Sequence, residues 1–105
     1  MLFVETSLFT KLLPEYLSDD EYREFQAFIA ENPDSGDVIK GSGGIRKIRW
    51  TAKGKGKRGG VRIIYYWQRT ESNIYLITVY AKNEMADLSP AETAALKRMV
   101  EAWNK

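Results

Sequence analysis

The sequence predicts an α+β domain, in which one small antiparallel sheet has its helices packed on one face. Three observations lead there. Residues 61–68 (VRIIYYWQ) and 74–82 (IYLITVYAK) are rich in β-branched and aromatic side chains. They are apolar on both faces, so they read as central strands joined by a hairpin over 69–73. Two S-x-x-E capping boxes, Ser18 with Glu21 and Ser89 with Glu92, mark helix starts on either side of those strands. Finally, 105 residues of 44% apolar content are enough for one modest core, so residues 1–105 are expected to form a single domain.

The remaining elements follow in order. Leu2 to Glu5 is a short strand leading into a helix from about Ser7 to Tyr16, which Pro14 should interrupt or end. In the helix capped by Ser18, Tyr22, Phe25, Phe28 and Ile29 form the apolar stripe, and Asn32-Pro33 stops it. Asp19, Asp20 and Glu21 occupy its first turn, where the helix dipole favours them, which accounts for these acids without a metal. Gly41, Gly43 and Gly44 mark a turn before a strand from Ile45 to Thr51. Strand alternation points Ile48 and Trp50 one way and Lys47, Arg49 and Thr51 the other, onto the face the helices leave partly open. A Gly-rich basic loop, KGKGKRGG over 53–60, connects to the hairpin. Pro90 at the first position of the last helix and Leu96, Met99, Val100 and Trp103 as its stripe complete the pattern.

Composition excludes much chemistry. There is no cysteine, hence no disulfide and no thiolate metal site. There is no histidine, so the usual general acid/base and commonest metal ligand is missing. No P-loop or dinucleotide fingerprint can be aligned on the glycines. A carboxylate metal site would need Glu71, Glu84 and Asp87 to converge, which nothing in the spacing requires. No cofactor and no metal are expected. The first residues contain Glu5, Lys11 and Glu15 and make neither a signal peptide nor a membrane span, so a cytoplasmic location with no membrane contact is expected.

The formal net charge of +2 conceals a division along the chain. Residues 1–39 carry two basic and nine acidic side chains, net −7; residues 40–69 carry ten basic and no acidic ones, net +10; residues 70–105 carry four and five, net −1. A cationic stretch of this density points to a polyanion. Electrostatic binding of nucleic acid without cleavage is the commoner use of such a segment. It also permits metal-free RNA cleavage, in which the 2′-hydroxyl attacks the adjacent phosphorus. Arginine can stabilise the charge gained by phosphorus, and a lysine whose pKa is lowered by neighbouring cations can move a proton. Tyr65, Tyr66, Trp67 and Tyr80 offer rings for base stacking, although rings in central strands more often serve the core. Tyr66 shares its strand face with Arg62 and is the candidate among them.

The run IRKIRW (45–50), the loop KGKGKRGG (53–60), VRIIYY (61–66) and YAKNE (80–84) together resemble the HigB branch of the RelE toxin superfamily, as do FVET (3–6) and LSDDEY (17–22). The resemblance implies a RelE-like, microbial-RNase-like fold. It implies the toxin of a type II toxin–antitoxin system: a metal-independent endoribonuclease, or mRNA interferase, that enters the 30S A site of the ribosome, cleaves translated mRNA there and inhibits translation. It implies as partner a cognate antitoxin with a helix-turn-helix DNA-binding domain, through which alone the toxin would meet operator DNA. By position, Arg62 corresponds to the arginine that stabilises the phosphorane, Lys47 and Arg49 to the basic pair of the preceding strand, and Lys82 and Glu84 to the Lys-x-Glu after the last strand. Lys55 or Lys57 is expected to assist proton transfer, Lys53, Arg58 and Tyr66 to contact RNA, and Glu84 to orient Lys82 or Arg62 more than to react. The chain departs from the RelE pattern at Asn83, where an arginine is expected, and at Leu88-Ser89, where a tyrosine is absent, which leaves the general base open. Two other readings stand beside this one: a ParE-like toxin that inhibits a topoisomerase by contact, and a non-enzymatic RNA- or ribosome-binding module.

Overall fold

A strand apolar on both faces needs cover above and below and a neighbour on each edge, and the segment Val61–Gln68 receives all four. The computed structural model describes residues 1–51, 60–81, 84 and 88–105. Its elements are β1 (Leu2–Glu5), α1 (Ser7–Tyr16), α2 (Asp19–Glu31), β2 (Asp37–Val38), β3 (Arg46–Trp50), β4 (Val61–Gln68), β5 (Asn73–Ala81) and α3 (Pro90–Trp103). The five strands form one sheet in the order β1-β5-β4-β3-β2, with β4 at its centre. The expected central hairpin is therefore β4–β5, closed by a turn in which Ser72 takes a left-handed φ of 55°.

The α+β class is as the sequence indicates, but two details of the arrangement differ. The sheet is mixed, because β1 runs parallel to β5. No short turn joins these strands, so nothing forces them antiparallel, and the parallel register lets Thr6 meet β5 twice. Its N–H donates to the Leu76 carbonyl at 3.0 Å and its hydroxyl to the Ile77 carbonyl at 2.7 Å. The same hydroxyl accepts from the Phe9 N–H and caps α1. Second, helices lie on both faces. The larger core joins Phe9, Phe25 and Ile29 of α1 and α2 to Ile63, Tyr65, Leu76 and Val79. A second core joins Val100 of α3, with Leu96, Met99 and Trp103 packed against it, to Ile64, Ile77 and Tyr80. The apolar stripe of α3 had to be buried somewhere, and the second apolar face of β4 and β5 is its counterpart.

A β-bulge makes this two-faced burial consistent. Tyr65 pairs with Leu76 but Ile64 pairs with Thr78, so Ile77 is the extra residue. The phase of β5 changes there: Ile74 and Leu76 join Val79 and Ala81 in the larger core, while Tyr75 shares the α3 face with Thr78 and Tyr80.

Both capping boxes form, with Ser18 and Ser89 each accepting from the N–H three residues on and each Glu returning a carboxylate to the cap N–H at 2.8 Å. That contact holds the Glu92 carboxyl below its ordinary pKa. The first helix is not ended by Pro14 but runs through it to Tyr16. The lost hydrogen bond is offset by burial of Tyr16 and Leu17 just beyond, the Leu17 N–H closing on the Leu13 carbonyl at 3.0 Å. Among the described residues no helix is long and apolar enough to cross a membrane.

Gly60 has φ +76°, and a β-carbon there would stand 2.4 Å from the Trp50 carbonyl oxygen. Gly60→Ala should therefore cost at least about 2 kcal/mol. Urea unfolding of the variant checks this, and an unchanged midpoint would show that the chain can re-route there.

Candidate functional site

The register across β3, β4 and β5 assembles the site. Arg49 pairs with Arg62, and Arg62 pairs with Tyr80, so the three side chains form one row across three strands on the α3 face. Cross-strand partners of this kind stand about 5 Å apart at Cβ. In the next row toward the hairpin, Lys47 pairs with Ile64 and Ile64 with Thr78. Arg49 is exposed, Lys47 and Arg62 are half-buried, and Tyr80 is buried. Among the described residues, α3 packs against Ile64, Ile77 and Tyr80 of this face. Strand pairing sets Arg49 and Arg62 next to each other across β3 and β4, and guanidinium is a group suited to forked hydrogen bonds with phosphate.

The cationic segment does acquire acids through the fold. Asp37, from the acidic N-terminal part, pairs with Lys47 across β2 and β3. Glu84 stands at the far end of β5, where its Oε1 accepts from the Tyr16 hydroxyl at 2.6 Å and from the Ala81 N–H at 2.8 Å. These contacts tie the end of β5 to the end of α1. The Glu84 carboxylate, through that hydrogen bond first and burial second, pushes the Tyr16 hydroxyl up to about 12.

Tyr66 lies four residues along β4 from Arg62. It pairs with Tyr75, its ring stacks at 6.0 Å on Trp103, and its hydroxyl accepts from the Asn104 amide at 2.9 Å. Tyr75 and Trp103 are themselves nearly parallel, at 4.1 Å and 8°. The ring of Tyr66 is thus part of the seam that seats the end of α3, apart from the arginine row. Buried Gln68 completes this seam, its side-chain amide donating to the Trp103 carbonyl at 2.8 Å.

Lys53, Lys55, Lys57, Arg58 and Lys82 lie outside the described residues. The flanks of the basic loop are placed, since Trp50 and Val61 are cross-strand partners directly beside the Arg49–Arg62 pair. Trp50 is held edge-on against Phe25 at 5.3 Å and tilted against Phe28 at 5.4 Å, which anchors that end of β3 to α2. Tyr16 and Asp37 were not found by sequence reasoning. Tyr16 and its partner Glu84 are 68 residues apart, and no local pattern links them.

Comparison with known families assigns the chain to the toxin half of a toxin–antitoxin system. Residues 15–105 match the model of the RelE toxin of the RelE/RelB toxin–antitoxin system, and the chain belongs to that family. Membership implies a cognate antitoxin as partner. Among solved structures, the isolated E. coli RelE toxin (P21 crystal form) is similar, with a TM-score of 0.57 at 16% identity over 93% of this chain and 97% of that one. At that identity the likeness establishes the RelE-like fold.

The Tyr16–Glu84 contact gives a pH prediction. A hydroxyl whose folded pKa lies above its unfolded value of about 10 adds stability that is complete below pH about 10 and lost as pH rises through about 12. Tyr16→Phe should cost about 1–2 kcal/mol near neutrality and remove this contribution to the alkaline loss. Denaturant unfolding of both proteins at neutral and alkaline pH measures it, and identical pH profiles would refute the contact.

Proposed function

We propose that this toxin is a metal-independent endoribonuclease that cleaves translated mRNA in the ribosomal A site and thereby inhibits translation. The observation that carries the reading is the cross-strand pairing of Arg49 with Arg62 on β3 and β4, in a chain of the RelE family. Assignment to the HigB branch rests on the resemblance of the basic loop and its flanks.

In this mechanism the 2′-hydroxyl of one nucleotide attacks the adjacent phosphorus in line, the bond to the 5′ oxygen breaks, and a 2′,3′-cyclic phosphate and a 5′-hydroxyl result. Arg62 binds the non-bridging oxygens as phosphorus gains charge, with Arg49 beside it. Lys47 and the loop residues Lys53 and Arg58 hold flanking phosphates, and Tyr66 is the aromatic candidate for a more distant RNA contact. Lys55 or Lys57 moves a proton. Lys82 follows Ala81, the cross-strand partner of Val61, and is a further cation for the same phosphate. Glu84 acts as a positioning residue, consistent with its ties to Tyr16 and the end of β5.

With no histidine in the chain, alignment of the substrate carries much of the rate, and the ribosome supplies that alignment. The antitoxin that silences the toxin would carry the DNA-binding domain and the contact with operator DNA.

The test is controlled expression of the wild type beside Arg62→Ala, with mapping of mRNA 5′ ends within minutes. New ends inside translated codons are expected for the wild type. Cleavage should fall by about 10²- to 10³-fold in the variant, with ribosome association largely kept. Growth arrest without such ends would reject the nuclease and favour a protein target such as a topoisomerase. Equal cleavage by Arg62→Ala would remove Arg62 from the reaction.

A further inference from the structure

We propose that a strip of surface leading from Lys47 and Tyr80 over the 39–44 turn to α3 is a second binding track for single-stranded RNA, one that holds the sugar–phosphate backbone on one side of the cleaved bond. The proposal rests on the nuclease reading above and extends it to substrate outside the arginine row.

Two adjoining depressions define the strip. A smaller one of about 230 Å³ is lined by Lys47 and Tyr80 of the site together with Lys40 and Thr93. A larger one of about 630 Å³ is lined by Lys40 and Thr93 again, and by Lys97 and Arg98 of α3. Both also share Leu88, so the surface is continuous from the site to the helix. The geometry is built and not accidental to one side chain. The Ser42 hydroxyl donates to the Ile39 carbonyl at 2.6 Å and accepts from the Ile45 N–H at 3.0 Å, which closes the turn carrying Lys40. Gly41 and Gly43 of that turn have φ near +80° and lie beside Thr93 and beside Lys97 and Val100 respectively. Burial of Val100 in the second core fixes the rotation of α3, and Thr93 and Lys97, four residues apart, share the flank that faces the turn.

The charge of the strip selects its ligand. Lys40, Lys97 and Arg98 are exposed and form no ion pair with any described residue, and among the described residues Glu101 is the one acid lining the larger depression. Cations gathered around a common depression repel one another, and a polyanion relieves that repulsion while releasing counterions. The depressions are open and shallow, which suits an extended polymer passing over them. Continuity with Lys47 and the arginine row favours RNA over an acidic protein segment, since a strand whose phosphate lies at Arg62 has to leave across some neighbouring surface. Two of these cations, Lys97 and Arg98, belong to the C-terminal stretch of net charge −1 and become part of the basic surface only through folding. Binding here would tighten the grip on substrate without touching the reacting atoms.

The experiment compares the full-length wild type with Lys40→Gln/Lys97→Gln/Arg98→Gln. The probes are a trinucleotide and a decanucleotide of single-stranded RNA, made uncleavable by 2′-deoxy substitution, with fluorescence anisotropy followed over a range of salt. The triple variant should bind the decanucleotide about tenfold more weakly, with its salt slope reduced by about 2, since each lost phosphate contact removes about 0.7. The trinucleotide should bind both proteins alike, and unfolding midpoints should agree because all three residues are exposed. Equal decanucleotide binding by both proteins overturns the track. Equal losses on both probes would overturn it by placing these cations at the cleavage site itself. A loss seen only with poly-glutamate would overturn it in favour of an acidic protein partner. Because the probes cannot be cut, none of these outcomes depends on the nuclease reading, which stands or falls on the mRNA ends.

Discussion

The β4 strand is paired on both edges and has a helical layer on each face, and its register to β3 and β5 decides where Lys47, Arg49, Arg62, Tyr66 and Tyr80 lie. Val61, Ile63 and Tyr65 point into the larger core and are fully buried, while Arg62, Ile64 and Tyr66 face α3. A slip of one residue would exchange these sets and drive Arg62 into an apolar interior, at a desolvation cost no single contact could offset. Tyr65 secures the register from within. Its buried hydroxyl accepts from the Gly36 N–H and donates to the Pro33 carbonyl, both at 2.9 Å, which ties β4 to the segment entering β2. Burial pushes the pKa of this hydroxyl up, keeping it a donor at any physiological pH.

The same frame reconciles two oppositely charged parts of one chain. The acids of the N-terminal third are spent largely on local tasks. Glu21 completes a cap, and Glu5 accepts from the Thr10 hydroxyl at 2.6 Å and the Tyr22 hydroxyl at 2.8 Å, joining β1, α1 and α2. Burial, and then the Glu5 carboxylate, hold the Tyr22 hydroxyl protonated far into the alkaline range. Asp37 is brought beside Lys47 by strand pairing, while Glu84 closes the end of β5.

Family membership and site geometry carry different parts of the functional argument. Membership establishes a toxin with a cognate antitoxin. The fold alone does not choose between cutting RNA and blocking a protein, since one scaffold serves unrelated activities. The cross-strand Arg49–Arg62 pair supports the proposed chemistry, because a pentacoordinate phosphorus needs fixed positive charge at the moment its negative charge increases.

Much of the chain was legible from local signals. Capping boxes at Ser18 and Ser89, the strands on either side of the hairpin and the apolar stripes of α2 and α3 depend on neighbours a few residues apart, and all are present. That Lys47 and Arg49 share one side of their strand was legible too, because alternation over a few residues is itself a local rule, whereas their sharing it with Arg62 came from the β3–β4 register. What the tertiary structure alone decided involves distant partners: the parallel β1–β5 pairing, the α3 cover on the second face, the pairing of Asp37 with Lys47 and the Tyr16–Glu84 contact. The bulge at Ile77 belongs with these. In a strand apolar on both faces either phase buries hydrophobic side chains, so periodicity carries no register information, and only packing against two helical layers selects one. The sequence by itself thus determined which residues form strands, helices and a cationic segment, since those depend on chain-local geometry and charge. Which cations share a surface was decided by long-range burial, the one force here that acts without regard to separation along the chain.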